Sequence, residues 1–152
     1  MHLMGRTRMI LPSLGTALLL AALTGCGSSN VHVVPLTTAE NRLTKIAMAY
    51  DDASADLGHP PKNAEELKPY LKQFGDPEEL LVSPNDGKPF IVIWGKKLGG
   101  GPTEYKSMFP ILAYEQSGSN RAVTDVRGRP MTVPEADFGQ LHFVGGHKPA
   151  PN

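Results

Sequence analysis

The chain of 152 residues has one cysteine, Cys26, and one tryptophan, Trp94. A single thiol excludes an intramolecular disulfide framework, so the folded part must be held together by its own core. Acidic and basic side chains number 15 each, which leaves no excess of positive charge for nucleic acid. Long apolar runs are also missing. The longest extends over about 15 residues, from Met9 to Leu23, whereas a spanning helix needs roughly 20.

The first residues nevertheless have a clear order. Arg6 and Arg8 lie in a short polar start, an apolar segment follows, and small residues close it. Pro12 and Gly15 interrupt the apolar segment, which further weakens it as a permanent span. A positive start, an apolar middle and small residues at the end are typical of a secretory signal.

The end of the apolar segment reads Leu23-Thr24-Gly25-Cys26. It resembles the bacterial lipobox, in which the thiol receives diacylglycerol before cleavage makes it the new N-terminus. The resemblance implies a lipoprotein signal peptide over 1–25, lipid attachment at Cys26 and recognition of the three preceding residues by the processing machinery. Two or three acyl chains would make attachment to the membrane lasting. The alternatives are a soluble secreted protein with a chance cysteine and an uncleaved signal anchor.

Cleavage would leave thirteen basic and fifteen acidic side chains in the mature chain. We expect a flexible Gly/Ser tether over 26–36, one folded domain over 37–144 and a disordered Gly/Pro-rich tail over 145–152. The resemblance to the lipobox implies a location in the bacterial cell envelope, on the inner or outer membrane, with the domain outside the cytoplasm.

Helix signals dominate the first half of this domain. Thr37 and Glu40 have the capping-box spacing, and an apolar stripe then continues for about 20 residues to Gly58. Asn63 repeats the cap spacing with Glu66, but Pro69 predicts a kink or two short turns instead of one helix. Asp76-Pro77 predicts a third helical start, with Leu80 and Leu81 pointing inward.

Strand signals dominate the second half. A turn over 83–89 leads into Phe90 to Trp94, whose unbroken apolar character predicts a central strand covered on both faces. Further strands are predicted over 109–115, 121–126 and 131–133, and a helical turn over 134–138 should close the core. We therefore expect an α+β fold, with a long N-terminal helix and short helical turns packed on a three- to four-stranded antiparallel sheet.

This order of elements resembles the globular part of type II secretion pseudopilins of the major, G-type class. Two segments carry the resemblance: the helix end that runs through Gly58 to Leu67, and Ser83-Pro84 followed by Gly87-Lys88-Pro89-Phe90. The resemblance covers about residues 38 to 143 and implies the fold. A pseudopilin has a filament-forming spanning helix where this chain has a lipobox, so filament assembly is not implied. Some members bind calcium, and Asp86, Glu104 and Asp125 are oxygen ligands in comparable regions, although their spacing is no ion-binding loop.

No catalytic, cofactor or metal site is predicted. Carboxylates on the first helix are expected to be solvated, the histidines to lie at the surface, the triple glycine to make a flexible loop and Trp94 to belong to the core. The residues concerned are Asp51, Asp52, Asp56, His32, His59, His142, His147 and Gly99 to Gly101.

Two classes of function follow. The first is a non-catalytic lipoprotein, held to the membrane through Cys26, that presents its domain to a protein partner in the envelope. The alternative is a small ligand-binding protein or enzyme that uses the loop over 95–108 as a lid, with Lys96 and Lys97 near an anionic partner. A secretion-system-associated component is a third hypothesis. Nucleic acid is not an expected partner.

Overall fold

A computed structural model describes residues 35–102 and 108–150. They form an α+β unit in which helices pack on a four-stranded antiparallel sheet, as the sequence predicts. The helices described are α1 (Thr38–Leu57), α2 (Ala64–Leu71), α3 (Pro77–Leu80) and α4 (Glu135–Phe138). The strands are β1 (Ile91–Val92), β2 (Ile111–Tyr114), β3 (Asn120–Asp125) and β4 (Pro130–Pro134).

Helix α1 has the bounds that its capping residues predict. The Thr37 hydroxyl accepts a hydrogen bond from the Glu40 amide at 3.2 Å, and the Glu40 carboxylate accepts one from the Thr37 amide at 2.9 Å. At the other end Gly58 adopts a left-handed conformation, φ 71°, which ends the helix. The predicted apolar stripe is buried from Leu43 to Ala53, whereas its last member, Leu57, is exposed, so α1 lies along one face of the sheet over most of its length.

Helix α2 corrects one prediction. The Asn63 side chain caps it as expected, but the helix runs as one eight-residue element through Pro69, without the predicted division. Proline at this position removes the amide that would bond the carbonyl of Glu65. Pro69 and Glu65 are both exposed, so water can satisfy the freed carbonyl. Leu67 and Leu71, which are fully buried, hold the helix against α1.

The four strands follow one another in the order β1-β2-β3-β4, each antiparallel to its neighbour. The register of β3 and β4 pairs Arg121 with Val133 and Val123 with Met131. An irregularity between Ile111 and Ala113 shifts the register of β2 against β3. The predicted meander is therefore present.

The segment from Phe90 to Trp94 is not the central strand that its apolar character predicts. Its regular part, β1, has two residues and lies at the edge of the sheet. Phe90, Val92 and Ile93 are nevertheless buried. These side chains belong to the core cluster that also contains the buried residues of α1 and α2. The chain before β1 pairs with its start, since the Phe90 amide donates to the Leu81 carbonyl at 2.9 Å and Val82 forms a bridge with Pro89.

Two apolar clusters lie on the two faces of the sheet. Neighbouring residues of a strand point to opposite faces, so Ala122 joins the cluster under α1 while Val123 joins the other one. Phe138 and Leu141 cover this second face, as the sequence predicts. Within the described residues, no helix is long and apolar enough to cross a membrane.

Candidate functional site

The predicted lipid-attachment site lies outside the described residues. Leu23, Thr24, Gly25 and Cys26 precede Pro35, at which the description of the structure begins. Lipidation of Cys26 and processing at the three preceding residues therefore stay predictions from the motif.

Glu115 is a buried carboxylate that the sequence does not single out. Its exposed fraction is 2%, and it follows directly after β2. One carboxylate oxygen accepts from the Ser83 hydroxyl at 2.5 Å and the Asn85 amide group at 2.8 Å, and the other accepts from the Ala122 amide at 2.7 Å. Glu115 thus ties the turn over 83–89 to the β2–β3 hairpin. Ser83 and Asn85 lie 32 and 30 residues away along the chain, which explains why no local pattern reveals these two contacts.

Asp125, at the end of β3, is a second buried carboxylate, and it also joins two segments by hydrogen bonds. Oδ1 accepts from the amides of Arg127 and Arg129 at 2.9 and 3.1 Å. Oδ2 accepts from Nε of Arg129 at 2.8 Å and from the amide of Phe109 at 3.3 Å. The guanidinium groups of both arginines stack on the Phe109 ring. An aspartate followed closely by a glycine turn is a known turn signal, and it could have indicated this role from the sequence.

Two of the three oxygen ligands considered for calcium, Asp86 and Asp125, have separate structural partners. Asp125 is occupied by the four contacts above. Asp86 accepts from the Lys88 amide at 2.9 Å and from the Ser117 hydroxyl at 3.0 Å, so it shapes the turn in which it lies. Glu104 lies outside the described residues. Among residues 35–102 and 108–150, no group of three metal-ligating side chains is present.

A third buried charge, Arg121 in β3, forms an ion pair with Glu135 of α4. Nε lies 2.6 Å from Oε2, and Nη2 donates to Oε1 at 2.6 Å. The guanidinium also lies 4.1 Å from the centre of the Phe138 ring. This pairing fixes α4 against the sheet. It also allows an arginine at a position where the exposed fraction is 2%.

The carboxylates of α1 lie on its exposed side, as expected. Asp56 accepts a hydrogen bond from the Tyr70 hydroxyl at 2.7 Å, and Asp52 accepts one from Gln73 at 3.0 Å. The bond to Asp56 raises the pKa of the Tyr70 hydroxyl above its ordinary value. These contacts join α1 to α2 and the turn after it, which is a structural use.

The histidines differ from one another. His142 is exposed and His59 is partly exposed, while His32 lies outside the described residues. His147 departs from the expectation of a free tail residue: its Nε2 lies 2.9 Å from the Tyr114 hydroxyl, and its ring packs against Phe143. Burial raises the pKa of Tyr114, and the nearby positive charge of Arg121 opposes the rise.

The loop proposed as a lid is described only up to Pro102 and from Met108. Lys97 and Leu98 line a recess of about 310 Å³ beside Asp51 and His59. Trp94, just before the loop, is partly buried and stacks on Tyr50 with the ring centres 6.4 Å apart. Trp94 therefore packs on the core, in agreement with its predicted role.

A cavity of about 470 Å³ lies beside the edge strand β1 and the β2–β3 loop. Its walls come from the end of the turn before β1, the β2–β3 loop, the outer face of the sheet and the C-terminal segment. The lining residues are Lys88, Ile91, Tyr114, Gln116, Ser117, Arg121, His147, Lys148, Pro149 and Ala150. None of the described residues that line it is a carboxylate, so this lining has a positive character that neither the composition nor any local motif predicts.

Comparison of the chain with protein-family models, curated proteins and solved structures finds no match. The resemblance to major pseudopilins therefore rests on the motifs over about residues 38 to 143 alone.

Proposed function

We propose that this protein is a bacterial envelope lipoprotein that is anchored by lipid on Cys26 and presents a non-catalytic α+β domain to a protein partner. The observation that carries the proposal is the run Leu23-Thr24-Gly25-Cys26, placed directly behind a positive start and an apolar segment. The domain lies outside the cytoplasm, on the inner or the outer membrane.

The spacing between the lipid and the fold supports a domain held near the bilayer. Residues 27–36 separate the proposed lipid-attachment residue Cys26 from the Thr37 cap of α1. Even fully extended, this tether would reach no more than about 40 Å, at roughly 3.5 Å per residue. A partner in the same membrane, or in the adjoining periplasmic layer, therefore lies within reach.

The use of the buried charged groups supports a structural role for the domain's interior. Glu115, Asp125 and Arg121 each bind groups from other segments of the chain, as described above. Their charge is used to hold turns and α4 in place. The partner would then meet the outer surface, where the side of α1 that faces away from the sheet carries Met48, with an exposed fraction of 49%.

Anchoring is tested by Cys26→Ala. We expect the variant to leave the membrane fraction or to accumulate unprocessed, since no lipid can be attached. Mass spectrometry of the N-terminal peptide should show the diacylglycerol mass on wild-type Cys26. Ser29→Ala, a change in the tether, is the matched control and should stay membrane-bound. Membrane retention of the Cys26→Ala variant at the processed size would overturn the lipoprotein proposal.

Partner binding is tested by crosslinking the wild-type protein in intact cells and purifying it from solubilised membranes. The proposal expects the same envelope protein in independent preparations, and its loss when Met48 is changed to Glu. Met48 is half exposed, so the change should leave the fold intact. Repeated recovery of no partner would count against this part of the proposal.

A component associated with a secretion system is the second candidate. The order of a long helix, short helical turns and an antiparallel meander favours it, because the resembled pseudopilins have that order. The lipobox in place of a filament helix argues for a role beside the filament. Secretion genes next to this gene, and crosslinks to their products, are the observations that would support this candidate over the first.

A further inference from the structure

The cavity beside β1 combines positive charge with apolar walls. Lys88 and Lys148 stand at its rim, and in the described part of the chain neither forms an ion pair. Lys88 donates to the Ser117 hydroxyl at 3.0 Å, which leaves two of its three protons for another acceptor. Ile91 and Pro149 supply apolar surface within the same cavity.

Arg121, which is buried and also lines the cavity, is a third cation there, and Glu135 neutralises part of its charge. Arg121 donates from Nη2 to Glu135, its Nε makes an ion-pair contact of 2.6 Å without hydrogen-bond geometry, and no hydrogen bond from Nη1 is present among the described residues. Tyr114, paired with His147, places a hydroxyl beside it. Two carboxylates that contact lining residues have partners, since Glu135 pairs with Arg121 and Asp86 accepts from the Ser117 hydroxyl and the Lys88 amide.

We propose that this cavity binds a small organic carboxylate. The carboxylate would lie between Lys88, Lys148 and Nη1 of Arg121, and a short apolar chain would contact Ile91 and Pro149. A volume of about 470 Å³ is within the ordinary range of small-molecule pockets and suits a ligand with a chain of a few carbons. Inorganic phosphate satisfies the cations but leaves the apolar walls empty, so we expect it to bind more weakly. This inference does not depend on the lipid anchor or on a protein partner.

Equilibrium dialysis with labelled hexanoate tests the proposal. The full-length protein is used in a non-ionic detergent at pH 7 and constant ionic strength, and detergent alone serves as the blank. We expect saturable binding of hexanoate, with neutral hexanamide at least about tenfold weaker, a difference of ~1.4 kcal/mol. Equal binding of the two compounds, or no saturable binding of hexanoate, would overturn the proposal. Displacement of hexanoate by an equal concentration of phosphate would show a phosphate site and overturn it too.

Two double variants locate the site. Lys88→Gln with Lys148→Gln should weaken hexanoate binding about tenfold, because both charges at the rim are lost. Lys62→Gln with Lys72→Gln makes the same change in net charge on exposed residues that do not line the cavity. This control should bind hexanoate as the wild type does. If the rim variant does not fold, Lys148→Gln alone decides, with a weakening of about threefold expected. An unchanged affinity in a folded rim variant contradicts the proposal.

Discussion

At the scale of single residues, the buried charged groups described above form hydrogen bonds that stabilise tight turns and join segments that are far apart in the chain. Glu115 accepts hydrogen bonds from the turn over 83–89 and from β3, and Asp125 accepts them from its own turn and from Phe109, which precedes β2. A buried carboxylate is tolerated only when donors surround it, and both residues meet that condition. Their loss should therefore affect stability.

Asp125→Asn should lower the free energy of unfolding by about 2 to 3 kcal/mol, because the new amide group places donor protons where Arg129 and Phe109 donate. Urea unfolding followed by circular dichroism measures the loss. Asp51→Asn, on the exposed side of α1, is the control and should change stability by no more than about 0.5 kcal/mol. Equal effects of the two substitutions would contradict the role given to Asp125.

The buried hydroxyl of Tyr50 should make the free energy of unfolding depend on pH. Burial raises the pKa of its hydroxyl above the ordinary 10.0, although backbone contacts with Lys96 and Gly95 oppose the rise. The folded state therefore holds the proton more tightly than the unfolded state, and this contribution to stability is fully present below pH 10. It is lost as the pH rises from 10 through the folded pKa.

Urea unfolding at several pH values between 8 and 11 checks this expectation. The free energy of unfolding should decline above pH 10, and less steeply in Tyr50→Phe than in the wild type. The variant also loses the hydrogen bonds to Ile93 and Lys96, so the comparison uses the slopes and not the absolute stabilities. Parallel curves for the two proteins would show that Tyr50 does not contribute.

At the scale of elements, burial and hydrogen bonding outweigh local preference in α2 and β1. Pro69 lies inside α2, yet Leu67 and Leu71 are buried on the other side and keep the helix formed. The segment from Phe90 to Trp94 is apolar enough for a central strand, yet it lies at an edge, where its buried side chains pack in the cluster with α1 and α2. Local sequence predicts that these segments form regular structure. Tertiary contacts decide whether α2 continues through Pro69 and where β1 lies in the sheet.

Pro69→Ala should raise the free energy of unfolding by about 1 kcal/mol. Alanine restores the amide that can bond the Glu65 carbonyl, and this gain exceeds the entropy that proline removes from the unfolded chain. Pro77→Ala is the matched control, since Pro77 is the first residue of α3, where proline is favoured and removal should be neutral or slightly destabilising. Thermal unfolding distinguishes them. A loss of stability in Pro69→Ala would mean that the ring makes contacts that matter more than the missing bond.

At the scale of the whole molecule, the sheet is covered on both faces, by α1 on one side and by the C-terminal part of the chain on the other. The second cover ends with an aromatic group in which Tyr114, Phe138 and Phe143 meet edge to face or tilted. His147 adds to this group, although the sequence places it in the tail. The first residues of the tail therefore contribute to the fold.

Removal of residues 147–152 should lower the free energy of unfolding by about 1 to 2 kcal/mol, because Tyr114 loses its hydrogen-bond partner and part of its aromatic cover. Removal of 150–152 alone is the control and should have little effect, since it leaves His147 in place. Urea unfolding measures both. Equal stability of the two truncated proteins would restore the interpretation of the segment as a frayed tail.

The α+β fold and most bounds of the elements could be predicted because the signals are local. Thr37 with Glu40, Gly58, and Asp76 with Pro77 each act within one helical turn, so the sequence carries the whole cause. The cavity could not be predicted, because Lys88, Arg121 and Lys148 are scattered along the chain and only the fold makes them neighbours. The same reason hides the contacts of Glu115.

The sequence by itself determined where the helices of the first half begin, where α1 ends and that an antiparallel meander follows, and its run ending in Cys26 predicts a lipid anchor. Capping, turn formation and the lipobox need only neighbouring residues. The tertiary structure alone decided that the strand after the turn lies at the edge, that the buried charges fasten separate segments, and that a positive cavity forms beside that edge. Those outcomes depend on distances between residues far apart in the chain, which packing sets when the core closes.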